Sequence, residues 1–242
     1  VFTSSDGNTK LNHEIETFDG ATGRLVAWVR VPTLSSSVNT TIYMYYGHST
    51  TSSQQDAAGV WDTNYGAVWH LDETPNDGTA GGHQDSTSNG NHGTPQNFQD
   101  GGGGTTNATG KINGADDFGG DDDYITVSSP IGVSPANLLT VSAWVRVDGP
   151  ISLNGDVVSR GDSYVIRVWT DGRVLFSKYN GASWVNLAPV AVNIIDGALH
   201  HLVAGQNATG MFMFIDGVQV DSNTDTAAIS YTLGPTVEIG RH

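Results

Sequence analysis

His200-His201-Leu202-Val203-Ala204-Gly205, followed by Met211-Phe212-Met213-Phe214-Ile215-Asp216-Gly217-Val218-Gln219-Val220, is the stretch that decides the fold. Both halves are short strand-like runs bounded by turn residues. Asp216-Gly217 marks a hairpin, because Asp-Gly supplies positive φ at little cost, and Thr170-Asp171-Gly172 repeats the signal. Outward from this stretch the same pattern recurs at 124–127, 139–147, 156–159, 164–169, 174–179, 184–187 and 236–239. No segment shows a sustained 3.6-residue period. Short strands at regular spacing with intervening turns predict an all-β antiparallel sandwich rather than a βαβ fold.

Toward the N-terminus, Leu25-Val26-Ala27-Trp28-Val29-Arg30-Val31 ends at Pro32, and Thr41-Ile42-Tyr43-Met44-Tyr45-Tyr46 ends at Gly47. Alternate residues of such runs face opposite sides of a sheet. Residues 49–58 are polar and suit a short turn of helix, and a new strand begins at 66–71. Residues 74–110 are dominated by Gly, Asn, Asp, Ser and Thr, and include the glycine run 101–104. Such a run is costly to order. A long surface loop is expected there, interrupted by a short strand near 92–94.

Several segments resemble the laminin-G-like, concanavalin-A-like jelly-roll families. They are Asp85-Ser86-Thr87-Ser88-Asn89-Gly90-Asn91-His92-Gly93-Thr94, the stretch 110–125, Leu139-Thr140-Val141-Ser142-Ala143-Trp144-Val145, the opening hairpin, and Val237-Glu238-Ile239-Gly240-Arg241. They occur in the family's order. Residues 1–66, through Glu14-Ile15-Glu16, Trp28-Val29-Arg30-Val31-Pro32 and 41–47, are similar to a small β-domain of unknown function. That domain often precedes laminin-G-like domains in large exported prokaryotic proteins. The resemblance implies a small β-domain at 1–66, expected to be incomplete at its N-terminus. It implies a jelly roll at 67–242, expected to lack its final strand. Where the family has Phe-Asp-Gly, this chain has Phe118-Gly119-Gly120, with one carboxylate fewer.

The net charge of −15, from 25 acidic and 10 basic residues, opposes binding to nucleic acid and to anionic membranes. No stretch has the ~20 apolar residues a membrane helix needs, so membrane insertion is not expected. The absence of cysteine removes disulfides, thiol catalysis and thiolate zinc sites. The chain opens at Val1 rather than Met, which reads as a processed or excised piece of a longer precursor.

Calcium is the expected cofactor. Asp121-Asp122-Asp123 lies in a glycine-flanked turn and Asp162 at a strand-to-strand tip, the kind of loop that supplies oxygen ligands. The position of Asp162 also resembles that of a calcium-binding Asp in pentraxin relatives. The plainer account of both is the Asx turn. Sugar binding calls for aromatic platforms beside polar side chains. Trp169, Tyr179 and Trp184 fall on or beside adjacent hairpins. With Tyr164, Ile166 and Val168 facing inward, Trp169 would face outward with Val165 and Arg167. The competing account is that these rings close the core or a domain interface, and Trp144, in the most apolar strand, is expected to be core.

Glycoside hydrolases on this scaffold place two carboxylates about the scissile bond, often as Glu-x-Asp-x-Glu. This chain has four glutamates, Glu14, Glu16, Glu73 and Glu238. Glu14 and Glu16 share a strand face but read as solvated. The adjacent His200 and His201 should point to opposite faces, and His70 is expected to be structural.

The expected function is therefore a non-catalytic extracellular or cell-surface module that binds a glycan or cell-surface polymer, with calcium as an aid. The alternative is a structural subunit of a surface layer or filament, joined to copies of itself by strand exchange. A glycoside hydrolase comes third.

Overall fold

The computed structural model describes residues 1–99, 104–189, 192–232 and 234–241. The glycines at 101–103 and the terminal residue 242 lie outside the described residues. The front of the chain supplies β1 (Phe2–Ser4), β2 (Lys10–Leu11), β3 (His13–Asp19), β4 (Arg24–Val29) and β5 (Ile42–Met44), then the short helix α1 (Ala57–Val60). Asp56 caps that helix by accepting from the Gly59 N–H at 3.0 Å, which puts the helical turn across the C-terminal end of the polar stretch that predicted it. There follow β6 (Thr94–Gln96), β7 (Thr105–Thr109), β8 (Gly114–Asp117), β9 (Tyr124–Val127), β10 (Leu139–Arg146), β11 (Gly155–Arg160) and β12 (Tyr164–Val168). The chain continues through β13 (Val174–Tyr179), β14 (Trp184–Leu187), β15 (Leu199–Asn207), β16 (Gly210–Ile215), β17 (Val218–Ser222) and β18 (Val237–Arg241).

Two sheets form the body. One has seven strands in the order β14-β13-β12-β11-β18-β9-β6, and the other has four in the order β10-β15-β16-β17. Their strand pairs are antiparallel, and β18 is paired on both edges, by β11 and β9. Three smaller sheets, β2-β1-β5, β3-β4 and β7-β8, complete the described structure. Among the described residues, no helix is long and apolar enough to cross a membrane.

Period-two alternation builds the core. Tyr164, Ile166 and Val168 on β12 face Leu202 and Ala204 on β15 and Met211, Met213 and Ile215 on β16, all within one buried cluster. Ile166 and Phe176 have no exposed surface. A charged side chain enters this core from β13. Lys178 follows Val174 and Phe176 on the inward face of β13 and is fully buried. Its ammonium meets the Asp225 carboxylate at 2.5 Å, the Ala227 carbonyl at 2.6 Å and the Gln206 side-chain oxygen. Three donors thus find three acceptors, which is what a buried ammonium requires.

The expected long surface loop is more structured than its composition suggests. His83, Asp85, Ser86, Thr87 and Asn91 are buried. The Asp85 carboxylate collects the Val68, Thr87 and Asn91 amides and the Thr87 hydroxyl at 2.8–3.0 Å. A carboxylate that satisfies so many donors lets polar backbone go inside. The expected short strand appears slightly later, as β6.

Candidate functional site

Three expected glycan residues stand on strands of the large sheet, and Trp169 directly follows β12. Strand register places Asn186, Ser177, Val165, Ser159, Glu238, Thr126 and Thr94 opposite one another in turn, a row crossing all seven strands. Because Ile166, Phe176 and Ile239 between them are core, this row belongs to the outer face. Only Val165 in it is apolar. The next row holds Leu175, Arg167, Asp156 and Arg241. Arg167 grips Asp156 through Nε at 2.5 Å and a terminal nitrogen at 3.2 Å. Arg241 lies 4.1 Å over the Tyr124 ring and 3.4 Å from Glu238. Sequence reasoning singled out Arg167 but missed Asp156, Glu238, Arg241 and Tyr124, because residues far apart in the chain meet only through strand order.

The aromatic residues divide into two groups. Trp184 and Tyr179 pair across β13 and β14 with ring centroids 5.7 Å apart, and Trp184 is 42% exposed. Trp169 lies at the opposite end, where Arg173 covers its ring at 4.3 Å. Arg173 and Tyr179 are six residues apart, roughly 20 Å along a strand. The expected trio is therefore one open platform, Trp184 with Tyr179, and one capped ring.

The expected calcium residues also separate. β9 and β11 run parallel on either side of β18. Asp121–Asp123 precede the start of β9, while Asp162 follows the end of β11. The two loops thus lie at opposite ends of the sheet, and one ion cannot bridge them. Asp123 is buried and accepts from the Gly119 amide at 2.5 Å, and Asp122 accepts from Asn97 at 3.1 Å. Among the described residues, no three His, Asp or Glu side chains gather as a group that could hold a metal ion.

Two sequence expectations need correction. Trp144 is 42% exposed rather than core; the burial alternation of β10 places Leu139, Val141, Ala143 and Val145 inward and Trp144 outward with Thr140 and Ser142. It stacks on His201 at 4.9 Å beneath Lys111 at 4.8 Å. His200, on the other face as expected, is held by Asp216 and Asp196 at 2.7 and 3.1 Å. Secondly, Glu14 and Glu16 are not solvated. Their side chains are 14% and 3% exposed and flank His70 at 3.3 and 3.6 Å. Glu16 accepts from the Trp28 indole at 2.5 Å, and Glu14 from the Trp61 indole at 3.0 Å and the Ser86 hydroxyl at 2.6 Å. Local alternation could show that the two acids share a face, but not what covers that face.

Burial lowers the His70 pKa, but Glu14, Glu16 and Asp72 outweigh it and raise it above the ordinary 6.5. A raised imidazole contributes stability fully below its unfolded value, and that contribution disappears as pH rises through the folded value. Thermal midpoints should therefore fall for the native chain as pH rises above about 6.5, and fall less for His70→Gln. Equal slopes would show that the imidazole does not tie the two acids together.

A model of the concanavalin A-like lectin/glucanases superfamily matches residues 118–242, more than half of the chain. This chain belongs to that superfamily. Ahead of the superfamily region, a model for a domain of unknown function, DUF2341, matches residues 1–81. No curated protein matches this superfamily member. Among solved structures, it is similar to domain 4 of AbnA, a GH43 extracellular arabinanase from Geobacillus stearothermophilus, in complex with arabinotriose. The identity is 21%, the match covers 73% of this chain and 84% of that one, and the TM-score is 0.52. A botulinum neurotoxin type C structure, described as entering cells through two ganglioside molecules, is 10% identical with a TM-score of 0.48. That match covers 74% of this chain and spans 44% of the neurotoxin chain. Mouse laminin alpha1 domains LG4-5 are 18% identical over 44% of this chain and 32% of theirs, with a TM-score of 0.32. At these identities the likeness is one of fold: an all-β, antiparallel concanavalin A-like jelly roll.

Proposed function

We propose that this chain is a non-catalytic carbohydrate-binding module of an extracellular or cell-surface protein, and that it reads a glycan on the outer face of its seven-stranded sheet. One observation carries the reading: Tyr179 and the exposed Trp184 pair on that face two residues along β13 and β14 from Ser177 and Asn186, where the mostly polar transverse row ends. A pyranose can stack its C–H face on Trp184, while the exposed Asn186 side chain, held from below by the buried Ser177 hydroxyl at 2.7 Å, offers a partner for a sugar hydroxyl. The two acids of this face, Asp156 and Glu238, each have a guanidinium partner, which favours binding over acid–base hydrolysis. Membership in a lectin and glucanase superfamily and the arabinotriose held by the similar arabinanase domain support the same class of ligand. That domain comes from an extracellular enzyme, which supports the setting.

Glycan-array screening followed by calorimetry tests the proposal. Trp184→Ala should weaken binding by about tenfold or more, roughly 1.4 kcal/mol. Repeating the titration with a chelator tests calcium, which belongs to the proposal only if affinity falls. Silence across the array, or unchanged affinity in Trp184→Ala, would remove the large sheet as the site. One observation favours the subunit reading: β5 is exposed along its length and, among the described strands, pairs only with β1. An open strand edge invites strand addition between copies. Polymerisation without glycan would favour it.

A further inference from the structure

We infer that the front of the chain carries a second saccharide site, a cleft after β4 and α1 that takes a neutral sugar ring between Trp28, Trp61, Tyr65, Arg30 and Asp62. The cleft encloses about 420 Å³, a size within the usual range for small-ligand sites. It shares no residue with the large-sheet face.

The aromatic rings form a contiguous wall. Trp28 and Trp61 have centroids 5.3 Å apart, and Tyr65 meets Trp61 edge-on at 5.1 Å. Both indole N–H groups are consumed behind the wall, by Glu16 and Glu14. A tryptophan whose N–H is tied up offers a ligand only its π surface, and a π surface selects C–H faces such as those of a pyranose. His70 sits behind the rings, stacked on Trp28 with centroids 5.8 Å and planes 25° apart, and meets both carboxylates. Burying two carboxylates is costly unless they are paired. Here the pairing also fixes both indoles, the pre-organisation that a weak stacking ligand needs.

At the rim, Arg30 and Asp62 supply donors and acceptors of opposite charge. Arg30 is anchored through the Gly59 carbonyl at 3.3 Å, and Asp62 through the Asn64 amide at 2.9 Å. Balanced charge favours hydroxyls over phosphate, carboxylate or ammonium groups. The site thus takes the same ligand class as the proposed large-sheet site, on independent residues.

Calorimetry of the full chain with arabinotriose, xylotriose and cellotriose tests the inference. The Trp184→Ala chain should retain binding of at least one probe. Adding Arg30→Ala and Tyr65→Ala, both exposed positions, should weaken that binding at least tenfold, with the thermal midpoint unchanged. Loss of all binding in Trp184→Ala overturns the second site, as does residual binding indifferent to Arg30→Ala and Tyr65→Ala. If Trp184→Ala changes nothing while the front substitutions remove all binding, the large-sheet reading fails and the front site stands.

Discussion

Lys178→Ala should lower the unfolding free energy by about 3 kcal/mol, the lower end of the cost of removing one partner from a buried ion pair. Lys178 reaches from β13 toward Gln206 on β15, so its ammonium joins the two sheets from inside. Removing it leaves Gln206 Oε1 and the Ala227 carbonyl without that donor, and opens space beside Phe176. Asp225 is 31% exposed and keeps some access to water, which sets the effect below that of a wholly enclosed pair. Denaturant midpoints at constant m-value measure the change. The double variant Lys178→Met with Gln206→Leu should recover most of the loss, since apolar groups of similar volume can replace a buried ionic contact. A loss under about 1 kcal/mol in Lys178→Ala would mean that the sheets are not joined there.

Asp116→Asn should act in the opposite direction, and only at the higher pH. Asp116 is fully enclosed, with Oδ2 3.2 Å from His83 Nε2 and Oδ1 accepting the Asn107 amide at 3.1 Å. Burial, only partly offset by His83, raises its pKa from 3.8 to about 6. Between those values the folded chain holds a proton that the unfolded chain has released, so stability falls as pH rises from about 4 to about 6 and then levels. The shift corresponds to a loss of roughly 3 kcal/mol at neutral pH. Asparagine keeps the Asn107 contact, can donate Nδ2–H to the imidazole, and has no charge to bury. Denaturation at pH 4.5 and 7 should show a flatter profile and a variant roughly 2 kcal/mol more stable at pH 7. A variant less stable at pH 7 would mean that an ionised Asp116 holds a protonated His83.

The expectations that held were local ones. Asp216-Gly217 turns with φ of 52° and 79°, and Gly172 with 82°, as the two dipeptides signalled. Tyr164, Ile166 and Val168 face inward because alternation along a strand needs no knowledge of its neighbours. Trp144 was legible by the same rule, since it shares parity with Thr140 and Ser142; weighing the strand's overall hydrophobicity against that parity misplaced it. Glu14 and Glu16 could not be placed from the sequence, because Trp61, His70 and Ser86, which enclose them, arrive from 47 to 72 positions along the chain. The aromatic candidates were half legible. The outward direction of Trp169 follows from alternation, but only the folded structure shows that Arg173 caps it while Trp184 stays open.

What this sequence determines unaided is the period of its side chains and the positions of its turns, and hence strands, hairpins and the apolar face of each. Those properties are set within a few residues by backbone sterics and side-chain polarity. Tertiary structure alone decided which strands become neighbours. That ordering put Asp156 against Arg167 and Arg241, sent the calcium candidates to opposite ends of a sheet, gave Lys178 three acceptors and enclosed His70 between two glutamates. A charge or an aromatic ring acquires its environment from whatever folds against it, and in an antiparallel sandwich those partners come from distant parts of the chain.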